Sequence, residues 1–75
     1  FNPSTVITYV LPAAGHVTLT VFDVLGRTVR TLVNDRQDSG VHTVSFDGSE
    51  LTSGLYYYRL QAGSHSDTKA FMLLK

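Results

Sequence analysis

The feature that most constrains this chain is a glycine turn running directly into three consecutive tyrosines, within Leu51–Leu60. In a helix, three adjacent aromatic side chains would spread around much of the circumference and lose rotamer freedom against the preceding turn. In a strand, successive side chains alternate, so Tyr56 and Tyr58 share one face. Tyr57 and Arg59 then share the other face. The stretch therefore predicts a β-strand with an aromatic face directed into a core.

Five further segments have the composition of β-strands, and each is bounded by turn residues. Residues 34–40 contain no apolar side chain and predict an exposed loop. A seventh short strand has room between Gly48 and Leu51. Strands spaced by about 8–12 residues and separated by turn residues are typical of an all-β sandwich. The predicted strands cover residues 5–11, 16–23, 27–33, 41–47, 55–62 and 66–74.

The alternation also predicts which side chains point inward. The second strand places Val17, Leu19 and Val21 on one face and threonines on the other. In the third strand, simple alternation separates Val29 from Leu32, because the two residues then lie on opposite faces. The Asp-Val-Leu-Gly-Arg turn before this strand is compatible with a hairpin in one sheet and with a crossing between sheets, and the sequence leaves both open.

The spacing Leu-x-x-Gly-x-Tyr at Leu51, Gly54 and Tyr56 resembles the tyrosine corner of immunoglobulin-like sandwiches. In that motif a tyrosine at the start of a central strand bonds its hydroxyl to the backbone just upstream. Tyr58 follows two residues later, where antibody domains place a disulfide cysteine, and its ring would fill that space. We predict an all-β fold, an immunoglobulin/fibronectin-III-like β-sandwich of six to seven strands.

Composition narrows the function classes. Seventy-five residues predict one domain, and without cysteine no disulfide or thiolate zinc site can form. Six basic side chains balance six acidic ones, which argues against nucleic acid as a partner. No apolar run approaches the roughly 20 residues that span a bilayer, so we predict no membrane insertion. Because the chain starts with Phe1 and carries no signal peptide, we expect a module of a longer protein.

Groups capable of chemistry are scattered along the chain. Ser64–Asp67 contains the residue types of a catalytic triad, but adjacent residues in a turn and a strand point apart. Asp35 and Asp38 lack the ligand run and central glycine of a calcium loop. No pair of histidines has local metal-ligand spacing; these residues are His16, His42 and His65. We therefore predict neither an enzyme nor a cofactor or metal site.

Two further features allow a functional or a structural interpretation. Tyr57 and Arg59 share the face opposite the predicted core, where an aromatic ring beside a hydrogen-bonding group could bind sugar. We favour the structural interpretation, an amphipathic strand face covered by its neighbours. Lys69 and Lys75 could be charges read during export or charges that protect an edge strand from pairing with other chains.

Four segments together resemble a known family: Phe1–Thr5, Asp23–Arg27, Leu51–Leu60 and Lys69–Lys75. In this order they are similar to the type A C-terminal sorting domain of proteins exported by the type IX secretion system. The immunoglobulin-like domain of flagellar hook-capping proteins, a related family, shares the Asp-x-x-Gly-Arg and Gly-x-Tyr-x-Tyr-Arg elements. The resemblance covers essentially the whole chain.

The resemblance implies that residues 1–75 form a single non-catalytic sorting domain, a monomer, at the C-terminus of a larger secreted protein. The cargo, fused N-terminally, would pass through the periplasm to the cell surface or medium. The outer-membrane translocon and a sortase-like peptidase would be its partners. Cleavage would fall at or before Phe1, or the product would be anchored at the surface, and Lys75 would be the native C-terminus. The residues implied in translocon recognition are Asp23, Gly26, Arg27, Lys69, Leu73, Leu74 and Lys75. The alternative is an accessory immunoglobulin-like spacer or weak carbohydrate-binding module.

Overall fold

The computed structural model of the protein describes residues 4–74, which form six antiparallel strands and no helix. This confirms the predicted all-β class. Among these residues, no helix is long and apolar enough to span a membrane. The strands are β1 (Ser4–Leu11), β2 (Gly15–Phe22), β3 (Thr28–Gln37), β4 (Gly40–Asp47), β5 (Gly54–Ala62) and β6 (His65–Leu73).

The strands form two sheets of unequal width. One is a two-stranded ribbon, β1-β4, and the other has four strands in the order β3-β2-β5-β6. In immunoglobulin lettering, the ribbon corresponds to strands B and E, and the wide sheet to C′-C-F-G. The segment between Gly48 and Leu51 is a turn, in which the Leu51 N–H donates to the Gly48 carbonyl at 2.9 Å. The described residues therefore form a six-stranded sandwich without a seventh strand.

The core lies between the two sheets and follows the predicted alternation of β2. Val17, Leu19 and Val21 have no solvent exposure. Their neighbours in sequence point to the outer face of the wide sheet. The buried apolar residues are Ile7, Tyr9, Leu11, Val17, Leu19, Val21, Val33, Phe46, Tyr56 and Leu73.

Strand β3 is longer than predicted. It pairs with β2 as far as Gln37, opposite Gly15, so the connection to β4 consists only of Asp38 and Ser39. The exposed loop predicted for residues 34–40 is therefore wrong for residues 34–37. Polar side chains suit an edge strand because its pairing comes from the backbone. The Tyr9 hydroxyl also donates to the Gln37 side chain, and burial raises the pKa of Tyr9.

The face assignment predicted within β3 is also wrong. The register with β2 shifts twice, leaving Val29 and Leu32 as extra residues without a partner in β2. Both side chains pack against the core. A β-bulge changes the phase of the alternation, so residues three apart in sequence can share a face. Strict period-two reasoning has no means of placing the bulges.

An aromatic cluster joins the two sheets at the centre of the sandwich. The ring of Phe71 on β6 lies 5.8 Å from Phe46 on β4, measured between centroids, in an edge-to-face arrangement. The same ring lies 5.9 Å from Tyr56 and 6.0 Å from Tyr58 on β5. Aromatic side chains each bury about 150–250 Å². This cluster supplies cross-sheet packing in a domain that has no disulfide.

Candidate functional site

The most tightly bonded surface feature is the turn at residues 23–27, called here the 23–27 turn. One Asp23 carboxylate oxygen accepts the N–H of Leu25 at 2.9 Å and the N–H of Arg27 at 3.0 Å. The Gly26 N–H donates to the Asp23 carbonyl at 3.0 Å, and Gly26 has φ 81°, a conformation that favours glycine. The turn joins β2 to β3, which pair directly. It is therefore a hairpin within one sheet, the first of the two arrangements left open by the sequence.

In the 23–27 turn the basic side chain is exposed, whereas the acidic side chain is largely covered. The second Asp23 oxygen accepts from Arg27 Nε at 2.9 Å, and the side chains of Arg27 and Asp23 are 73% and 16% exposed. The pKa of Asp23 is lowered, chiefly by the backbone N–H of Arg27 and also by the bond from its side chain. Because both carboxylate oxygens accept hydrogen bonds within the turn, the exposed charged group of the turn is the Arg27 side chain.

Two aliphatic side chains stand at the tip of this turn. Val24 is 62% exposed and Leu25 is 73% exposed. Turn positions usually carry polar residues or glycine, so this exposed aliphatic pair is a candidate contact surface. The sequence-based site set omitted both residues. The available signal was an apolar pair placed between the turn-forming residues Asp23 and Gly26.

The second turn of interest is residues 51–56, called here the corner. The Tyr56 hydroxyl donates to the Thr52 carbonyl at 2.7 Å and lies 3.3 Å from Thr52 Oγ1. Tyr56 is 6% exposed, and Leu51 packs against the same buried cluster. Gly54 has φ 154°, which L-residues rarely adopt. The corner thus ties the start of β5 to the backbone immediately before it.

A single cleft of about 460 Å³ separates the 23–27 turn from the corner. Asp23 and Arg27 line one side, and Leu51, Gly54 and Tyr56 line the other. Sequence reasoning treated these as unrelated regions. The antiparallel order of the wide sheet brings them together, because β2 ends where β5 begins. We call this space the turn cleft.

The end of β6 reaches the same end of the domain, but its residues differ in accessibility. Leu73 pairs with Gly54 and has no solvent exposure, whereas Leu74 is 50% exposed. Leu73 follows Phe71 by two residues and so shares its inward face. In the folded domain, the Leu73 side chain therefore has no surface to offer a partner. Lys75 lies outside the described residues.

Lys69 is separate from the turn cleft. It is exposed and lies opposite Tyr58, in the middle of β6. It shares the inward-facing side of this edge strand with Phe71, beyond the cover of the ribbon. A charge at such a position discourages the edge from pairing with another chain. The geometry is compatible with edge protection by Lys69, and a part for Lys69 in recognition stays a prediction.

The outer face of the wide sheet carries the proposed sugar-binding pair. Tyr57 lies opposite Phe22, and both are half-buried. The Arg59 guanidinium carbon lies 4.8 Å from the centre of the Phe22 ring. This cation–π contact covers one aromatic surface with protein. Tyr57 is the remaining aromatic group of that face available to a ligand.

The histidines bond to separate parts of the fold. His16 Nε2 lies 2.8 Å from Asn34 Oδ1, and His42 Nε2 lies 2.7 Å from the Asp38 carbonyl oxygen. His42 also stacks on Tyr9. Across residues 4–74, no three histidine, aspartate or glutamate side chains come together as a metal-binding group.

Comparison with known proteins gives one match. A family model described as a secretion system C-terminal sorting domain matches residues 2–74. Searches of curated proteins and of solved structures found no match to the chain.

Proposed function

Because the chain belongs to the family of type IX secretion system C-terminal sorting domains, we propose that it is read by the translocon through the 23–27 turn and the adjoining end of β6. Family membership makes the domain a secretion signal for an N-terminally fused cargo bound for the cell surface or medium. The proposal adds where the machinery makes contact. It also includes passage through the periplasm and later removal of the domain by a sortase-like peptidase, or anchoring at the surface.

The observation that carries the proposal is the combination of rigidity and exposure in the 23–27 turn. Its carboxylate and backbone are already hydrogen-bonded, while Val24, Leu25 and Arg27 project into solvent. A partner that binds a preformed turn loses less free energy to ordering. The centres of protein interfaces are also commonly apolar and enriched in arginine.

The end of β6 adds to the same surface. Leu74 is 50% exposed and Met72 is 52% exposed. Met72 lies opposite Leu55, which is itself 37% exposed and lines the turn cleft. The proposed surface therefore contains the exposed aliphatic groups of one end of the wide sheet. Leu73 contributes by anchoring the strand in the core.

An export assay tests this assignment. Residues 1–75 are fused behind a periplasmic reporter in a bacterium with a type IX system, and the reporter in cells, periplasm and medium is quantified. We expect Leu25→Ser and Asp23→Ala each to reduce delivery by about tenfold, the change in affinity that corresponds to about 1.4 kcal/mol of binding free energy. Val41→Ser is the matched control, because Val41 is 69% exposed on the outer face of the ribbon.

The outcomes separate the parts of the proposal. Failure of the unmodified fusion to leave the periplasm would refute sorting by this domain. Normal export of both turn variants, with Val41→Ser also normal, would refute contact through the 23–27 turn and leave sorting by the domain intact. The mass of the released reporter tests removal of the domain, since cleavage before β1 leaves a product without residues 4–74.

The accessory-module alternative makes a different prediction. A carbohydrate-binding domain should bind glycans on an array and lose that binding on Tyr57→Ala, while the unmodified fusion stays in the periplasm. Because Arg59 covers the ring of Phe22, this face has less aromatic surface available to stack on a sugar. We therefore favour the sorting assignment.

A further inference from the structure

Within residues 4–74, the outer edge of β1 has no strand partner. β1 pairs with β4 in unbroken register from Ser4 to Leu11, and the ribbon contains no further strand. In an antiparallel ladder, alternate residues direct their N–H and C=O groups away from the partner. About half the backbone groups of β1 therefore face outward, where an additional strand could bond to them.

The two edges of the wide sheet are protected, whereas β1 is not. β3 has two bulges and carries charged side chains such as Asp35 and Arg36. β6 carries Asp67 and Lys69 on its inward-facing side. Such features discourage pairing with another chain. β1 has the sequence STVITYVL, without a charge, a proline or a shift in register.

Two clefts follow this unprotected edge. One, of about 180 Å³, lies beside Thr5–Thr8 and is floored by Tyr58 and Phe71. The other, of about 240 Å³, lies beside Val10–Pro12 and is floored by Leu60 and Ala62. Both exist because the four-stranded sheet extends beyond the two-stranded ribbon. Both clefts lie beside the same strand edge and have an apolar floor, and together they are called here the β1 groove.

We propose that the β1 groove binds an extended segment of a partner polypeptide, which adds to the ribbon as a third strand. Backbone hydrogen bonds to β1 would supply affinity, and alternate apolar side chains would cover Tyr58, Leu60 and Phe71. Asp67 and Lys69 on the facing strand favour a segment with a basic and an acidic residue at the matching positions. The inference rests on the sheet geometry and is independent of the sorting function.

The size of the groove favours a peptide over a second copy of the domain. An eight-residue strand is about 26 Å long and occupies a width of about 5 Å. That footprint, roughly 130 Å², is well below the about 800 Å² per partner of a standard stable interface.

A synthetic peptide tests the proposal on the intact domain. The probe is a ten-residue peptide with threonine at every second position and, between the threonines, three valines, one lysine and one glutamate, so that the apolar and charged side chains share the face directed at the groove. We expect it to shift the NMR signals of β1 amides and slow their hydrogen exchange about tenfold. A peptide of the same composition with consecutive valines should bind about tenfold more weakly, because it lacks the alternation that fits the groove.

N-methylation of the probe separates strand pairing from simple apolar contact. Methyl groups on one alternating set of amides should abolish binding, while the other set, pointing to solvent, should be tolerated. Equal effects of the two methylated peptides would overturn strand addition. A doubling of the mass of the free domain in sedimentation would instead assign the edge to a second copy and also refute the proposal.

A pair of domain variants locates the site. Ala62→Lys places a charge on the floor of the groove, whereas Gln61→Lys places the same charge on the opposite face of β5. We expect about a tenfold loss of peptide affinity only in Ala62→Lys. Equal affinities in the two variants, with both folded by circular dichroism, would refute the assigned site. The methylated peptides test the pairing on the unmodified domain even if Ala62→Lys does not fold.

Discussion

The two sides of the turn cleft, the corner and the 23–27 turn, use similar hydrogen bonds for different purposes. Both the corner and the 23–27 turn are held by hydrogen bonds between a side chain and the backbone within five residues. The corner uses its bond to fix a ring that is 6% exposed, whereas the turn leaves Leu25 73% exposed. The same local chemistry thus stabilises the fold on one side and displays a surface on the other.

The largest expected difference between the two sides comes from truncating one side chain on each. Tyr56→Ala removes a buried ring that stacks on Phe71 and should cost about 3–5 kcal/mol of unfolding free energy. Leu25→Ala removes exposed atoms and should change stability by less than about 0.5 kcal/mol. Urea denaturation measures both. Similar losses in the two variants would abolish the distinction between the corner and the turn.

Backbone strain provides the next test of the corner. Gly54→Val should cost about 1–3 kcal/mol, because φ at this residue is 154°. A Cβ atom there would meet nothing within 4 Å, so the cost is conformational and not a collision. Gly15→Val is the control, since its Cβ also meets open space and its φ lies outside the disfavoured range. Equal denaturation midpoints for the two variants would show that the corner tolerates any residue.

Removing only the Tyr56 hydroxyl isolates the corner hydrogen bond. Tyr56→Phe keeps the ring and loses the bond to the Thr52 carbonyl, so about 1 kcal/mol of stability should be lost. Tyr57→Phe, on the outer face of the same strand, should leave the urea midpoint nearly unchanged. A midpoint for Tyr56→Phe equal to that of the unmodified domain would mean that the bond contributes packing geometry without net stability.

The smallest expected effect is the pH dependence that the Asp23 carboxylate in the 23–27 turn gives to the free energy of unfolding. The pKa of Asp23 is lower in the folded domain than its ordinary value, so the unfolded chain binds more protons as the pH falls. The stabilisation is complete above the unfolded pKa, about 3.9, and is lost as the pH falls through the folded pKa. Asp47, bonded to the Ser49 N–H, acts in the same direction. Urea midpoints between about pH 5 and pH 2 should therefore fall less steeply in Asp23→Asn. An unchanged slope would contradict the role given to this carboxylate.

Period-two alternation and turn residues were enough to predict the class of fold and the inward faces of β2 and β5. They were insufficient for β3, where bulges bring Val29 and Leu32 to the same side. Polar composition also misled the prediction for residues 34–37, because an edge strand can be polar on both faces and still bond its backbone. These errors arise from pairing between strands, which a single segment does not encode.

The candidate site was predictable in its parts and not in its assembly. The residues Asp23, Gly26 and Arg27 carry their turn geometry in their own sequence. That the turn lies beside the corner depends on β2 and β5 being neighbours in the sheet. The burial of Leu73 likewise depends on which face of β6 meets the core. The exposure of Met72 on the same strand, and of Leu74 just after it, depends on that face as well.

The ribbon has a consequence for the order in which the domain forms. β2 and β3, like β5 and β6, are neighbours in sequence and can pair as hairpins. β1 must instead find β4 across two intervening strands, so a long loop closes before that contact contributes. Non-local pairing of this kind slows folding. The ribbon should therefore close after the hairpins, and until it does the apolar inner face of the wide sheet is open to whatever chain is nearby.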